Sequence, residues 1–277
     1  KWVEGLAQEF KQNFITRSLT GLGITVPVFL IIFLENEYVF VASLSLITGL
    51  SIFEWFKNSN NKSFIADSII ISLFAILTAL YSDKFFFYIV LFTSIFWLLF
   101  CVSLATKSYI KLSFISFENI YLRTLIPIGF FGSGVFLISQ ESFLSFSNYY
   151  LMLIIIFNSA ISDSSAYLVG SFFGKNSLLK EISPNKTLEG FLGGICGSAI
   201  FGFLLVYFFE SNPLLILILI IGSIFAFTGD YFFSFLKRQS GIKDTGSMLP
   251  GHGGILDRVD SHFSATPAIT LLIIILL

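Results

Sequence analysis

Near the C-terminal end of the sequence, Asp257-Arg258-Val259-Asp260 follows Gly251-His252-Gly253-Gly254. Asp257 and Asp260 are three residues apart, so a helix starting near Ile255 would put both carboxylates on one face. Carboxylates so spaced can hold a hard divalent cation through oxygen, with Mg²⁺ favoured where phosphates complete its shell. The glycines permit positive φ and close backbone approach. Their amides, at a helix start, would cradle an anion. Taken alone, the acid pair is better explained as two solvated surface residues, and the glycine run equally well as an ordinary turn. Their neighbours decide the matter.

Two more acids lie inside apolar runs, Asp163 and Asp230. An ionised carboxylate at membrane depth costs several kcal/mol unless it is paired, metal-bound or wetted. Each is either a helix-end residue facing water or part of a cation or substrate site. Both sit near the same end of their helices, which favours one shared site. Cations surround these acids: Lys237-Arg238, Lys243, Arg258, and Lys186 within Ser183-Pro184-Asn185-Lys186-Thr187. Any of them could be a topological anchor, but nearness to acids and glycines points to phosphate binding. His252 is a general base, a phosphate donor or a turn residue; with no Cys or acid at ligand spacing, zinc is not indicated. The pattern implies a site for highly charged phosphates and Mg²⁺, with catalysis by positioning and charge stabilisation. No G-x-x-x-x-G-K-[ST] run occurs, so the cradle is not a P-loop.

The elements that must position these residues are apolar helices. Of 277 residues, 55% are hydrophobic and 12% charged, about half the charged share of a soluble domain. A helix crossing ~30 Å of hydrocarbon needs about 20 apolar residues. Nine runs qualify: Ser18–Leu34, Tyr38–Phe56, Phe64–Leu80, Phe85–Ala105, Ile120–Ser139, Asn148–Gly170, Leu188–Phe209, Pro213–Leu236 and Phe263–Leu277. With the N-terminus inside, fifteen of the 16 Lys and Arg residues fall on the inner side and only Lys84 on the other, a strong positive-inside bias. The two long inner connections, Ser171–Thr187 and Lys237–His262, carry the polar and glycine-rich residues. Trp2, Leu6, Phe10 and Phe14 recur every four residues, which suits an interfacial amphipathic helix or a soluble one docked on the inner face. Cys101 and Cys196 lie apart in apolar stretches and read as core residues. The sequence opens on Lys1 rather than Met, so preceding residues are expected, and no cleavable signal peptide is evident.

Two blocks carry a family resemblance. One is Ser234-Phe235-Leu236-Lys237-Arg238, Lys243-Asp244-Thr245-Gly246 and Leu249-Pro250-Gly251-His252-Gly253-Gly254-Ile255-Leu256-Asp257-Arg258-Val259-Asp260. The other is Asp163-Ser164-Ser165-Ala166-Tyr167, Gly170, Phe173-Gly174-Lys175 and Ser183-Pro184-Asn185-Lys186-Thr187-Leu188-Glu189-Gly190. Together they resemble the signature of phosphatidate cytidylyltransferases over about a third of the chain.

The resemblance implies an all-α polytopic membrane enzyme that makes CDP-diacylglycerol and pyrophosphate from CTP and phosphatidate with Mg²⁺, as one or two cations. It implies lipid and a homodimer as partners, no nucleic acid, and a bacterial inner membrane with the site facing the cytoplasm. On charge and position, Asp230 and Asp257 are the first choices as metal ligands, then Asp163 and Asp260. Lys237, Arg238, Lys243 and Arg258 are assigned to triphosphate or lipid phosphate. Lys186, with Ser183, Gly251, Gly253 and Gly254, is assigned to substrate binding, and His252 to the catalytic set. Residues 1–17 form the interfacial segment, 18–147 the N-terminal helices and 148–277 the catalytic region. One departure stands out. The family usually reads Gly-Asp-x-x-Glu-Ser, whereas Phe233 occupies the Glu position here, which on helical spacing removes a carboxylate from the face of Asp230.

Other readings are a related CTP-using lipid enzyme (an isoprenoid-alcohol kinase or another lipid cytidylyltransferase), a homologue impaired by Phe233, and a secondary transporter. A transporter would show paired half-helices or internal symmetry, and neither is present in the sequence.

Overall fold

A computed structural model describes residues 21–23, 25–59, 65, 68–69, 83–108, 113–143, 147–251 and 253–277. Among these the chain is all-α. The elements are α1 (Glu37–Lys57), α2 (Asp83–Ala105), α3 (Ile120–Ser139), α4 (Asn148–Phe173), α5 (Leu188–Phe209), α6 (Leu214–Gln239), α7 (Leu256–Val259) and α8 (His262–Leu276). Two isolated β-bridges, Ser177–Thr187 and Leu249–Gly253, are the only extended pairings in the described residues.

Seven described helical spans are long and apolar enough to cross a membrane, with α7 and α8 counted together as Leu256–Leu276, and a shorter apolar helix, Gly21–Leu34, precedes them. The polytopic helical architecture expected from the apolar runs is therefore present. The run Phe64–Leu80 lies almost wholly outside the described residues, and the amphipathic segment 1–17 entirely so.

Polar residues set the helix ends. Asn36 caps α1 by accepting from the Val39 amide at 3.1 Å, and Asn119 caps α3 by accepting from Tyr121 at 2.9 Å. Thr187 caps α5 through the Gly190 amide at 3.1 Å. These side chains take up amide donors that a helix start leaves unpaired. Two helices outrun their apolar stretches by three residues: α4 continues to Phe173 and α6 to Gln239. Lys237 and Arg238 thus lie inside the last turn of α6, where cations complement the helix dipole.

α3 packs on α1, α2, α4 and α8, and α6 lies between α5 and α8. Aromatic rings fill the seam near one end of the bundle: Trp55 of α1, Phe232 and Phe233 of α6, Phe117 and Phe263. At the same end, long-range contacts join the helix termini: Asn58 to Thr245, Arg123 to Ser59 and Lys237 to Asp257. The α4–α5 pair approaches closely through small residues. A Cβ on Gly193 would come within 2.5 Å of the Val169 Cβ. Gly193→Leu is expected to push α5 off α4 at a cost of about 1–3 kcal/mol, seen as a lower thermal unfolding midpoint in detergent. An unchanged midpoint would show that the contact yields freely.

Candidate active site

The loop between α4 and α5 is folded back on the start of α5. Glu189 accepts from the backbone amides of Lys175 and Asn176 at 3.0 and 3.2 Å, and from the Asn176 side chain at 2.7 Å. Leu178 donates to the Lys186 carbonyl at 3.1 Å, and the Leu188 amide to Asn176 at 2.8 Å. A polar hairpin thereby holds Lys186 just ahead of α5, where its ammonium pairs with Asp230 of α6. The same ammonium lies 4.5 Å from the centre of the Tyr231 ring, a distance at which the ring face attracts a cation.

The second loop, between α6 and α7, is organised around Asp257. Its Oδ1 is 2.7 Å from the Lys237 Nζ. Its Oδ2 accepts from the Thr245 amide (2.8 Å), the Thr245 hydroxyl (3.0 Å) and the Gly254 amide (3.1 Å). Gly251 and Gly253 have φ of +75° and +82°, and the Leu249 amide closes the turn on the Gly253 carbonyl at 2.9 Å. Positive φ at both places is what glycine supplies without strain. The expected anion cradle is differently occupied: the Gly254 amide is taken by the chain's own Asp257. A carboxylate three residues along a helix start reaches back to that amide as a capping side chain does.

The α4–α5 loop and Asp257, which the second loop holds, face a common cavity of about 620 Å³. Asp163, Asp230, Asp257, Asp260, Lys186 and Ser183 line it, with Ala166, Tyr167, Phe191 and Phe227 as an apolar wall. Five of the residues assigned from sequence to metal or headgroup, drawn from α4, α6, α7, its C-cap and the α4–α5 loop, therefore share one space with Ser183. Lys237 reaches it through Asp257. Arg238, Lys243, Arg258 and Gly251 are exposed and lie outside the lining. His252 lies outside the described residues.

The polar part of the cavity offers four carboxyl groups as hard oxygen donors, which suits Mg²⁺. Among the described residues, no three His, Cys, Asp or Glu side chains stand together as a ready cation cage. Mg²⁺ commonly uses one or two carboxylates and completes its shell with water and substrate phosphate, so this donor set fits it.

Phe233 does not face this space. It is 1% exposed, with ring centroids 5.2 Å from Trp55 and 5.4 Å from Phe263. Glu54, which the sequence reading passed over, is 1% exposed and bound to both Thr245 and Leu256. The signal was present: Ile52-Phe53-Glu54-Trp55-Phe56 sets a lone acid in an apolar run, as with Asp163 and Asp230.

Residues 15–276 match the sequence profile of the cytidylyltransferase family. Among curated proteins, the chain is similar to the phosphatidate cytidylyltransferase of Staphylococcus haemolyticus (strain JCSC1435), 46% identical over 117 residues. The enzymes of the same name from Staphylococcus saprophyticus and Staphylococcus aureus (strain COL) are 45% and 44% identical over 117 residues. Each alignment covers 41% of this chain and 45% of the relative; the chain thus spans about half the length of the curated relatives it matches.

Proposed function

The chain belongs to the cytidylyltransferase family, and from that premise we propose that it transfers the cytidylyl group of CTP to phosphatidate, giving CDP-diacylglycerol and pyrophosphate. The observation that carries this reading is the two-sided cavity. Four carboxyl groups and the Lys186 ammonium face its polar part, while Tyr167, Phe191 and Phe227 wall the rest. That combination suits an amphiphile with a phosphate head meeting a polyanionic nucleotide. Tyr167 is 76% exposed on α4, so the cavity borders a surface that would lie against lipid.

The chemistry needs no protein nucleophile. An oxygen of the lipid phosphate bonds to the α-phosphorus of CTP. The bond from that phosphorus to the α–β bridging oxygen breaks, and pyrophosphate leaves with the electron pair. A phosphate monoester is already largely ionised near pH 7, so no base has to activate it. Both reactants are anions, and their approach must be offset by cations. Lys186 and Lys237 would hold and orient phosphate groups. Asp230 and Asp257, with Asp163 and Asp260 beside them, would hold Mg²⁺, which supplies charge neutralisation on the phosphates. The basic-side bias and the bacterial relatives support a plasma-membrane protein with this cavity toward the cytoplasm.

Purified protein, labelled CTP, phosphatidate and Mg²⁺ should yield lipid-linked label. No lipid-linked label from CTP carrying it in the cytidine or α-phosphate, with an active homologue working in parallel, would overturn the reading; label passing only from the γ-phosphate, and only to a polyprenol acceptor, would favour a lipid kinase. In the same assay Phe233→Glu should give no gain in rate. Its carboxyl would enter the ring cluster of Trp55 and Phe263 instead of the cavity, and burying it there should lower stability by about 1–3 kcal/mol. A clear rise in rate would mean that position 233 does serve the site.

A further inference from the structure

Glu54 lies in the last turn of α1, outside the cavity lining, and is almost fully buried. Its Oε2 accepts the Leu256 amide at 2.8 Å and stands 3.4 Å from the Thr245 hydroxyl. That hydroxyl has one hydrogen to give, and its contact with Asp257 is the shorter, at 3.0 Å. Leu256 is therefore the principal donor to Glu54. One turn later, the Asn58 side chain donates to the Thr245 carbonyl at 2.7 Å and to the Glu54 carbonyl at 2.8 Å.

Two glycines of the loop stand against the Glu54 carboxyl. A Cβ on Gly246 would lie 2.5 Å from Oε1, and one on Gly254 would lie 2.4 Å from Oε2. Thr245, Gly246, Gly254 and Leu256 are thus fitted closely around an acid nearly two hundred residues away in sequence. Thr245 and Gly254, which stand against Glu54, also grip Asp257 through their backbone amides.

We propose that Glu54 is a positioning residue: it pins the α6–α7 loop to α1 through the Leu256 amide, and so fixes Asp257 in the cavity. In its activity arm this inference rests on the transfer reaction proposed above. The carboxyl acts here as a hydrogen-bond acceptor for loop backbone, so its carbonyl-like oxygen matters more than its charge.

The protein in lipid nanodiscs would be compared as wild type, Glu54→Gln, Glu54→Leu, Glu54→Ala, Gly246→Ala and the double variant Gly246→Ala with Glu54→Ala. Backbone hydrogen exchange is followed by mass spectrometry in segment 245–257 and in α3, with kcat and the CTP KM measured alongside. Glu54→Leu should speed exchange in 245–257 by about tenfold or more, the order expected for one lost buried hydrogen bond, and leave α3 unchanged. It should lower kcat more than it raises the CTP KM. Glu54→Gln keeps an acceptor for Leu256 and should stay near wild type in both measurements. Gly246→Ala intrudes on the carboxyl from the loop side, so it should loosen the same segment. Its added effect should vanish when Glu54 is already alanine, which keeps the test sound even where Glu54→Leu fails to fold. The proposal is overturned by wild-type exchange in 245–257 of Glu54→Leu, by exchange that rises equally in α3, or by a Glu54→Gln as impaired as Glu54→Leu. Should the wild type transfer no label to phosphatidate, the reaction assignment falls, while the exchange measurements still decide the role of Glu54.

Discussion

Asp257→Asn should lower turnover by about a hundredfold to a thousandfold, the scale seen when one preorganised charge-stabilising group is removed from an active site. Oδ1 of Asp257 faces the Lys237 ammonium, and Oδ2 takes two backbone amides and a hydroxyl. Asn preserves the shape but turns one oxygen into a donor. Turned one way, the new NH₂ meets Lys237; turned the other, it meets the amides of Thr245 and Gly254. Either way donor meets donor, and the charge that balanced Lys237 is gone.

Asp257→Ala goes further by leaving the mostly buried Lys237 without its paired carboxylate, an effect of about 3–5 kcal/mol when a buried pair is broken. The two variants therefore separate chemistry from folding. Asn should keep most of the thermal midpoint and lose turnover, whereas Ala should lose both. Normal turnover in Asp257→Asn would remove this residue from the site.

The same residue shows what sequence can and cannot deliver. Residue types and helical spacing placed Asp163, Asp230, Asp257, Asp260 and Lys186 in one candidate site, and one cavity contains them all. The apolar runs likewise located α1 to α6, because hydropathy and span length are local properties. Partners are not local. Lys186 meets Asp230 and Lys237 meets Asp257 only once the α4–α5 loop, α6 and α7 converge.

Glu54 obeyed the same lone-acid rule, yet its purpose depends on Thr245 and Leu256, 191 and 202 residues away. The Phe233 expectation erred through geometry. A residue three positions along an α-helix is rotated by about 60° from its predecessor's direction. At a packed seam that rotation is enough to move a side chain from the cavity into the rings of Trp55 and Phe263.

Lys186→Met should separate two affinities that ordinarily move together. The Lys186 ammonium is paired with Asp230, with the Tyr231 ring beside it. A divalent cation approaching Asp230 must share that carboxylate with the ammonium or replace it. Two positive charges about 4–5 Å apart repel by several kcal/mol even at an effective dielectric near 20.

Removing the ammonium should therefore tighten divalent-cation binding to the nucleotide-free protein by about tenfold or more, a conservative fraction of that repulsion. Mn²⁺ titration followed by electron paramagnetic resonance would read it directly. The CTP KM should move the opposite way, rising by about tenfold or more, because a triphosphate loses one of its charge-assisted partners. Asp230→Asn supplies the contrast: it frees Lys186 but removes the carboxylate, so Mn²⁺ binding and CTP turnover should both weaken. If Lys186→Met left Mn²⁺ affinity unchanged, the cation and Lys186 would not share Asp230. The ion pair would then be a fixed strut between the α4–α5 loop and α6, and not a site that substrate and metal take over.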